Sequence, residues 1–471
     1  MTHDPPFPTW VRLALPVVAC LSTLYLPCPS CSAATTVMQV SAGDGHSMFV
    51  KSDGSLWGMG DNTAGQLGLG FSLAQTNLPQ QILSSNVTAV AAGSYHTLFL
   101  ESNGSLGAMG YNANGQLGDG STTSHFFPET IVSGAVTGIA AGTVHSLFTT
   151  STFERPFETI AFWGMGENSS GQLGDGTMTS HSSPEQIQST DLLLDEVRSV
   201  AGGGAQSLFI REDGSLWATG DNGAGQLGDG TTTERDSYEE IVSSDVAAVA
   251  AGDFHSLFIK SDGSLWAMGD NASGELGDNS LVSRDSPEQV GINVAAIAAG
   301  LDFSLFIKTD GSLWAMGAND YGQLGDGTTI QRILPVMIIS SNVVAIAAGV
   351  FHSLFVKSDG SLWAMGYNAL GQLGDGTYTD RHFPVQVVPL VIPQPAITNI
   401  SLAGKNLVLQ AANGESGRIC YTLMSANLAQ PLNLWTPLAT NLLTTDGAFA
   451  ITATNAVAPT VPQRFFVLQV Q

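Results

Sequence analysis

Cysteine is scarce: four in 471 residues, at Cys20, Cys28, Cys31 and Cys420. That excludes a disulfide-stapled scaffold, and no paired-Cys metal site is present. Basic residues are few as well, 15 Lys and Arg against 40 Asp and Glu, giving a net charge of −25. Binding to a phosphate backbone needs concentrated positive charge, so nucleic acid is not an expected partner. Long apolar runs are missing apart from residues 13–26, LALPVVACLSTLYL. That run is shorter than a spanning helix needs, so no membrane span is expected. No Gly-x-Ser-x-Gly elbow, His-Glu-x-x-His pair or phosphate loop occurs, and the reading is of a non-enzyme without a cofactor.

Residues 1–34 read as a secretory leader, with Arg12 before the apolar run and Ser-Ala-Ala ending at Ala34. Processing there would remove Cys20, Cys28 and Cys31 and leave Cys420 as a buried small hydrophobe. The run Val17-Val18-Ala19-Cys20 keeps a lipid-anchoring alternative at Cys20 open. The expected location is therefore exported: extracellular, periplasmic or cell surface.

What the chain has in abundance is one phrase, AGVFHSLFVKSDGSLWAMGYNALGQLGDG at residues 348–376, repeated seven times. The copies are marked by His46, His96, His145, Gln206, His255, Phe303 and His352, at steps of 50, 49, 61, 49, 48 and 49. A fixed period of this size dictates a repeat fold. Each copy holds an Ala-rich run, two apolar runs joined by Asp-Gly (Asn103-Gly104 in the second copy), a Gly-Gln-Leu-Gly loop and a last apolar run. Asp-Gly between apolar runs predicts a hairpin with a type I′ turn. Four short strands per unit, with end copies as regular as the middle ones, predict a closed β-propeller over an open solenoid. The Ala-rich strand suits the crowded axis. Trp57, Trp163, Trp217, Trp266, Trp314 and Trp363 are expected to pack against the next blade. Gly107 leaves that place vacant in the second copy, which predicts a small cavity there or a neighbour filling in.

The order His-Ser, Asp-Gly, aromatic-x-x-Gly, Asn, Gly-Gln-Leu-Gly resembles the repeats of the regulator of chromosome condensation family. The resemblance spans about residues 37–390. It implies an all-β, seven-bladed propeller, assigned to residues 35–390, closed by a blade shared between the chain ends. Residues around 37–40 would then pair with those around 384–388. A Pro-rich linker at residues 391–396 leads to six predicted strands in residues 397–471, read as a β-sandwich-like module. The module loosely resembles those ending many exported bacterial repeat proteins.

The repeated histidines His46, His96, His145, His255 and His352 are read as structural, because copies around a ring point to separate places and two copies carry Gln206 and Phe303 instead. Asp119, Asp175, Asp229, Asp278, Asp326 and Asp375 lie in register, either as an acidic belt or, the favoured reading, as turn formers. The third copy departs from its siblings. It has no Asp-Gly turn and carries about seven extra residues within 149–162, with a smaller addition at residues 191–197. Phe153, Glu154, Arg155 and Phe157 would project there, and aromatic and Arg side chains anchor protein contacts. In the family's nuclear member a wedge that engages a small GTPase projects from the third blade; the analogy is of position alone.

The expected function is a secreted, monomeric protein-interaction scaffold whose propeller loops meet a macromolecular partner. The resemblance supports a protein ligand, since exported bacterial members include β-lactamase inhibitors. Two alternatives stand beside it: a guanine-nucleotide exchange factor, and a surface protein binding or cleaving polysaccharide.

Overall fold

The computed structural model describes residues 13–16, 35–154, 157–187, 197–387, 396–403, 406–414, 419–425, 436–442, 447–453 and 463–470. The chain forms two compact units, residues 31–389 and residues 1–30 with 390–471. The first unit holds seven four-stranded antiparallel sheets and no helix among the described residues. In the first blade the strands run Val37–Ala42, His46–Lys51, Leu56–Asp61 and Gln75–Leu83, from the axis outward. The other six repeat this order, so the unit is the predicted seven-bladed propeller.

Strand burial follows from position. The second strand of each blade lies between sheets on both sides, and His255–Lys260 is buried along its length except at Lys260. Innermost strands are Ala-rich because they converge. Their Ala and Gly residues leave an axial cavity of about 270 Å3.

The Asp-Gly hairpins differ from the type I′ expectation. Gly54 has φ +77°, whereas Asp53 is not among the residues with positive φ. Gly54 N–H donates to Lys51 O at 2.9 Å, and Lys51 N–H to Ser55 O at 3.0 Å. This is a type I turn followed by a left-handed glycine, the three-residue loop with a bulge. The geometry frees the Asp53 carboxylate to accept from Ser55 N–H (2.9 Å) and Ser55 Oγ (2.5 Å). Ser55 Oγ in turn accepts from Trp57 Nε1 at 2.8 Å. The phrase Asp-Gly-Ser-Leu-Trp is thus one hydrogen-bonded chain, repeated at Trp217, Trp314 and Trp363.

Ring closure also differs from the expected shared blade. Val37–Ala42 pairs with His46–Lys51, while Arg381–Gln386 pairs with Leu362–Gly366. Among the described residues no strand is exchanged. The last seam closes by packing instead: Val40, Phe49 and Met59 bury against Leu354, Leu362, Leu373 and Val387. Because each blade already has its fourth strand, nothing is left for the ends to complete.

The tryptophans pack against the preceding blade, not the next one. Trp57 joins the cluster of the seventh blade, and Trp217 that of the third. Each stacks on a cross-strand Phe of its own blade, as Phe148 on Trp163 at 5.9 Å. In the second blade a neighbour fills the vacancy. The Phe99 ring lies over Gly107, where an added Cβ would meet it at 2.1 Å. Phe99 is buried.

In the second unit all six predicted strands are present. Ala396–Ala403, Asn406–Gly414 and Gly447–Ala453 make one sheet. Gln463–Val470, Ile419–Ser425 and Thr436–Leu442 make the other, with Leu13–Pro16 pairing antiparallel to Gln463–Phe466 at its edge. Cys420 lies in this second sheet, opposite Val470 and Asn441.

The seam glycines give a direct test of closure by packing. A Cβ on Gly349 would meet Gly43 O at 2.4 Å and the His352 ring at 2.6 Å, whereas Gly223 faces open space save for Asp221 Oδ1 at 3.5 Å. Gly349→Ala should cost about 1–3 kcal/mol in urea unfolding, and Gly223→Ala less than about 0.5 kcal/mol. Equal effects would refute a tight last seam.

Candidate functional site: the loop face and the third-blade hairpin

Every propeller blade has two ends. One carries the turn before the histidine and the Gly-Gln-Leu-Gly loop, and is called here the loop face. The other carries the Asp-Gly hairpins, and is called the turn face.

The five histidines lie at five different seams, all with no exposed surface. Each Nε2 meets a hydroxyl of the following blade: His46 with Thr97 at 3.0 Å, His96 with Ser146, His145 with Ser207 and His255 with Ser304 at 2.9 Å, and His352 with Ser47 at 2.8 Å. The same hydroxyls donate to main-chain carbonyls of the histidine's own blade, for example Ser47 to Gln372 O at 2.8 Å and Thr97 to Gln66 O at 2.8 Å. With the hydroxyl proton spent, Nε2 must be the donor, and with no acceptor at the buried Nδ1 each ring is held neutral. All five Nδ1 atoms lack a partner. Burial pushes the pKa down from 6.5 to about 3 at His46, His96 and His352, and to about 4 at His145 and His255. Where the histidine is replaced, Gln206 Nε2 donates to Gly252 O at 2.8 Å, and Phe303 fills the volume.

The in-register aspartates are not a free acidic belt. Asp229 Oδ1 accepts from Asn222 Nδ2 at 3.0 Å and from Thr231 N–H at 2.9 Å, and Oδ2 binds Arg235 at 2.5 Å. Asp278, Asp326 and Asp375 bind Arg284, Arg332 and Arg381 in the same way, and Asp119 and Asp175 bind His125 and His181. Each closes its own loop. The hydrogen bonds outweigh burial and hold these carboxyls below the ordinary range.

Those pairings leave the loop face acidic and aromatic. Asp44, Asp221, Asp253, Asp270 and Asp302 are half-buried along its turns and loops. Tyr95 and Phe254 are 40 % and 45 % exposed just before their blades' histidines. The Tyr95 hydroxyl donates to Asp44 Oδ2 at 2.5 Å, a bond that pushes its pKa up to about 12. Tyr321, Phe351 and Tyr367 form a cluster with ring centroids 4.9–6.4 Å apart. The lysines Lys51, Lys260, Lys308 and Lys357 end their strands at the turn face, each with Nζ 4.0–4.6 Å from a tryptophan ring centroid.

The third-blade insertion lies at the turn face. Its ladder runs six pairs beyond Phe148↔Trp163, from Thr149↔Phe162 to Glu154↔Phe157. Phe153, Glu154 and Phe157 occupy the strand ends at the tip, and Arg155 falls outside the described residues. The smaller addition also lies outside them except Val197, which opens a strand. Thr150 replaces the missing turn serine and accepts from Trp163 Nε1 at 3.0 Å.

A family profile for the RCC1-like domain matches residues 162–422, and two for the regulator of chromosome condensation (RCC1) repeat match residues 53–100 and 103–149, and 37–66 and 87–116. The chain belongs to the RCC1 repeat family. Among solved structures, the RCC1-type propeller of Saccharomyces cerevisiae Prp20p aligns with TM-score 0.63 at 20 % identity over 79 % of this chain and 90 % of that one. Human WBSCR16 aligns with TM-score 0.60 at 23 % identity over 74 % and 96 %. Identities this low carry the fold alone. None of the curated proteins compared with this RCC1-repeat chain matches it in sequence.

Sequence reasoning missed the loop-face aromatics, because they occupy the variable x positions of the phrase. It also passed over Glu275, the one departure from glutamine in seven Gly-Gln-Leu-Gly loops, although the change is visible in the sequence.

The buried imidazoles set a pH dependence. Unfolded, each protonates near 6.5; folded, only near 3 to 4. The unfolded state therefore binds more protons in that window, and stability should fall with pH by at most about 1.4 kcal/mol per unit for each histidine. Asp253, Glu275 and Asp302 act oppositely: burial raises the first two to about 6 and about 7 and shifts Asp302 the same way, so the folded state gains from their protonation. Five groups outweigh three. Thermal unfolding should show Tm dropping from pH 6.5 towards 4, and His352→Gln should make the slope shallower. A flat profile would contradict the buried neutral rings.

Proposed function

We propose that this RCC1-repeat chain is an exported, non-enzymatic interaction scaffold whose loop face binds a basic protein partner. The observation that carries the reading is the gathering of aromatics beside carboxylates on the loop face. Tyr95, Phe254 and the Tyr321–Phe351–Tyr367 cluster lie there with half-buried Asp44, Asp221, Asp253, Asp270 and Asp302, and the described lysines lie at the other end against tryptophan rings, next to the hairpin aspartates. Aromatic residues supply contact area at small entropic cost, and a rim of one charge steers a partner of the other. The histidines do not compete with this reading, since each is sealed within a seam. Export rests on the leader pattern in residues 1–34.

The fold neighbours favour one second reading, nucleotide exchange on a small GTPase. The Prp20p structure is described together with its binding to Gsp1p and histones. Exchange would require a cytosolic partner, which an exported chain does not meet. The third-blade hairpin is a separate contact surface at the opposite end of the ring. A partner using it would not need the loop face.

The two surfaces separate by mutation. Capture of partners by the purified chain, followed by cross-linking, should place the contacts at Tyr321, Phe351 and Tyr367. A Tyr321→Ala, Phe351→Ala double variant should lose about tenfold or more in affinity with Tm little changed, and binding should weaken with added salt. Replacing residues 153–157 by a two-residue turn should leave capture intact. Loss only in the hairpin variant would transfer the function to the third blade, and accelerated GDP release from a captured GTPase would establish the exchange reading instead.

A further inference from the structure

One seam departs from the rest in a way that no packing role explains. In the first and fourth blades the loop glutamine donates to the carboxylate that opens the loop: Gln66 Nε2 to Asp61 Oδ2 and Gln226 Nε2 to Asp221 Oδ2, both at 2.9 Å. In the fifth blade the same two positions are Glu275 and Asp270. An acceptor therefore stands where a donor belongs, and two carboxylate oxygens face one another. Glu275 Oε2 accepts from Ser273 N–H at 2.8 Å, as the glutamine oxygens do in sibling loops. Its Oε1 has no hydrogen-bond partner although the residue is only 1 % exposed.

A third carboxylate completes the group. Asp302 precedes Phe303 at the first turn of the sixth blade, a place held by Gly45, Tyr95, Val144, Ala205, Phe254 and Phe351 elsewhere. One oxygen from each of Asp270, Glu275 and Asp302 lies within 4.8 Å of the others. Asp270 Oδ1 is already occupied by Asn271 N–H (2.9 Å) and Ser283 Oγ (2.8 Å), which fixes that carboxylate in place. The charges bearing on the group are further carboxylates, Asp270 and Asp302 on Glu275, and Asp270 and Asp320 on Asp302. An unpartnered buried carboxylate oxygen on a residue with two further carboxylates beside it is costly unless a cation or a proton joins them.

We propose that Asp270, Glu275 and Asp302 bind a calcium ion at the seam between the fifth and sixth blades. The donors are all hard oxygen atoms with no imidazole or thiolate, which suits calcium over zinc or copper. Asp270 and Asp302 are half-buried at the loop face, so the group is reachable from solvent on that side, while Glu275 is buried. Main-chain geometry holds the ligands independently of the ion: Ser304 Oγ donates to Glu275 O at 2.8 Å, and His255 binds Ser304 from the same blade as Glu275.

The test uses the full chain, dialysed against EDTA and then into chelator-free buffer at pH 7.5. Calcium chloride should give a single binding isotherm in titration calorimetry and raise Tm in thermal unfolding. Glu275→Gln restores the amide of the six sibling loops, so it should fold normally, with Tm at or above that of the metal-free wild type, and lose both responses. Asp302→Asn should weaken binding at least tenfold. Absence of a calcium response in the wild type would overturn the proposal and leave a shared proton as the bridge. An undiminished response in Glu275→Gln, or a response to magnesium chloride alone, would overturn it equally.

Discussion

The structure depends on a clamp between blades. An imidazole N–H is given to a hydroxyl of the next blade, which passes its own proton to a carbonyl of the first. This arrangement joins two strands and a loop from two blades without exchanging any backbone. It works because the ring has a glycine against its face: a Cβ on Gly43 would meet Nδ1 of His46 at 2.6 Å. The phrase Ala-Gly-x-x-His-Ser is therefore one unit, in which glycine makes the space, histidine donates and serine relays. Removing water from the ring makes the clamp short and neutral, and that same burial makes it vulnerable to acid.

Much of this was legible in the sequence. The period gave the ring and its seven blades, because a unit that cannot bury its own face must stack on copies of itself. The turn residues were read correctly as hairpins but assigned the wrong turn. Asp-Gly suits both a two-residue and a three-residue loop, and the serine after the glycine, whose amide and hydroxyl bind Asp53, decides between them. Closure was misread for a different reason. The shared blade came from the family resemblance, whereas the lengths of this chain give every blade a complete set of strands. The compensation at Gly107 was foreseen in kind, a neighbour or a void, though the sequence could not say that Phe99 is the neighbour.

The site was less legible than the fold. Repetition draws attention to what recurs, and what recurs here is architecture. Asp229 and its equivalents left a charged rim open beside the favoured reading as turn formers, and they are consumed inside their own loops by Arg235 and its equivalents. The half-buried aromatics of the loop face occupy variable positions, where Tyr321, Phe351 and Tyr367 meet only in three dimensions, across two adjacent blades. The long third-blade hairpin was recognisable from length alone, but its placement at the end opposite the aromatic cluster follows from strand direction.

Closure without a shared strand has an evolutionary reach of its own. Since the seam joining the seventh blade to the first uses the same His–hydroxyl–carbonyl relay as four of the six other seams, it is not marked out as the place where the ring begins. New termini could be opened between any two blades, and the old ones near Val37 and Val387 joined, without asking a strand to find a distant partner. A gene built from such units can rotate, duplicate or shed a copy while every surviving joint keeps its chemistry. The number of blades is then set by the angle each joint prefers, not by how the ends of the chain are tied.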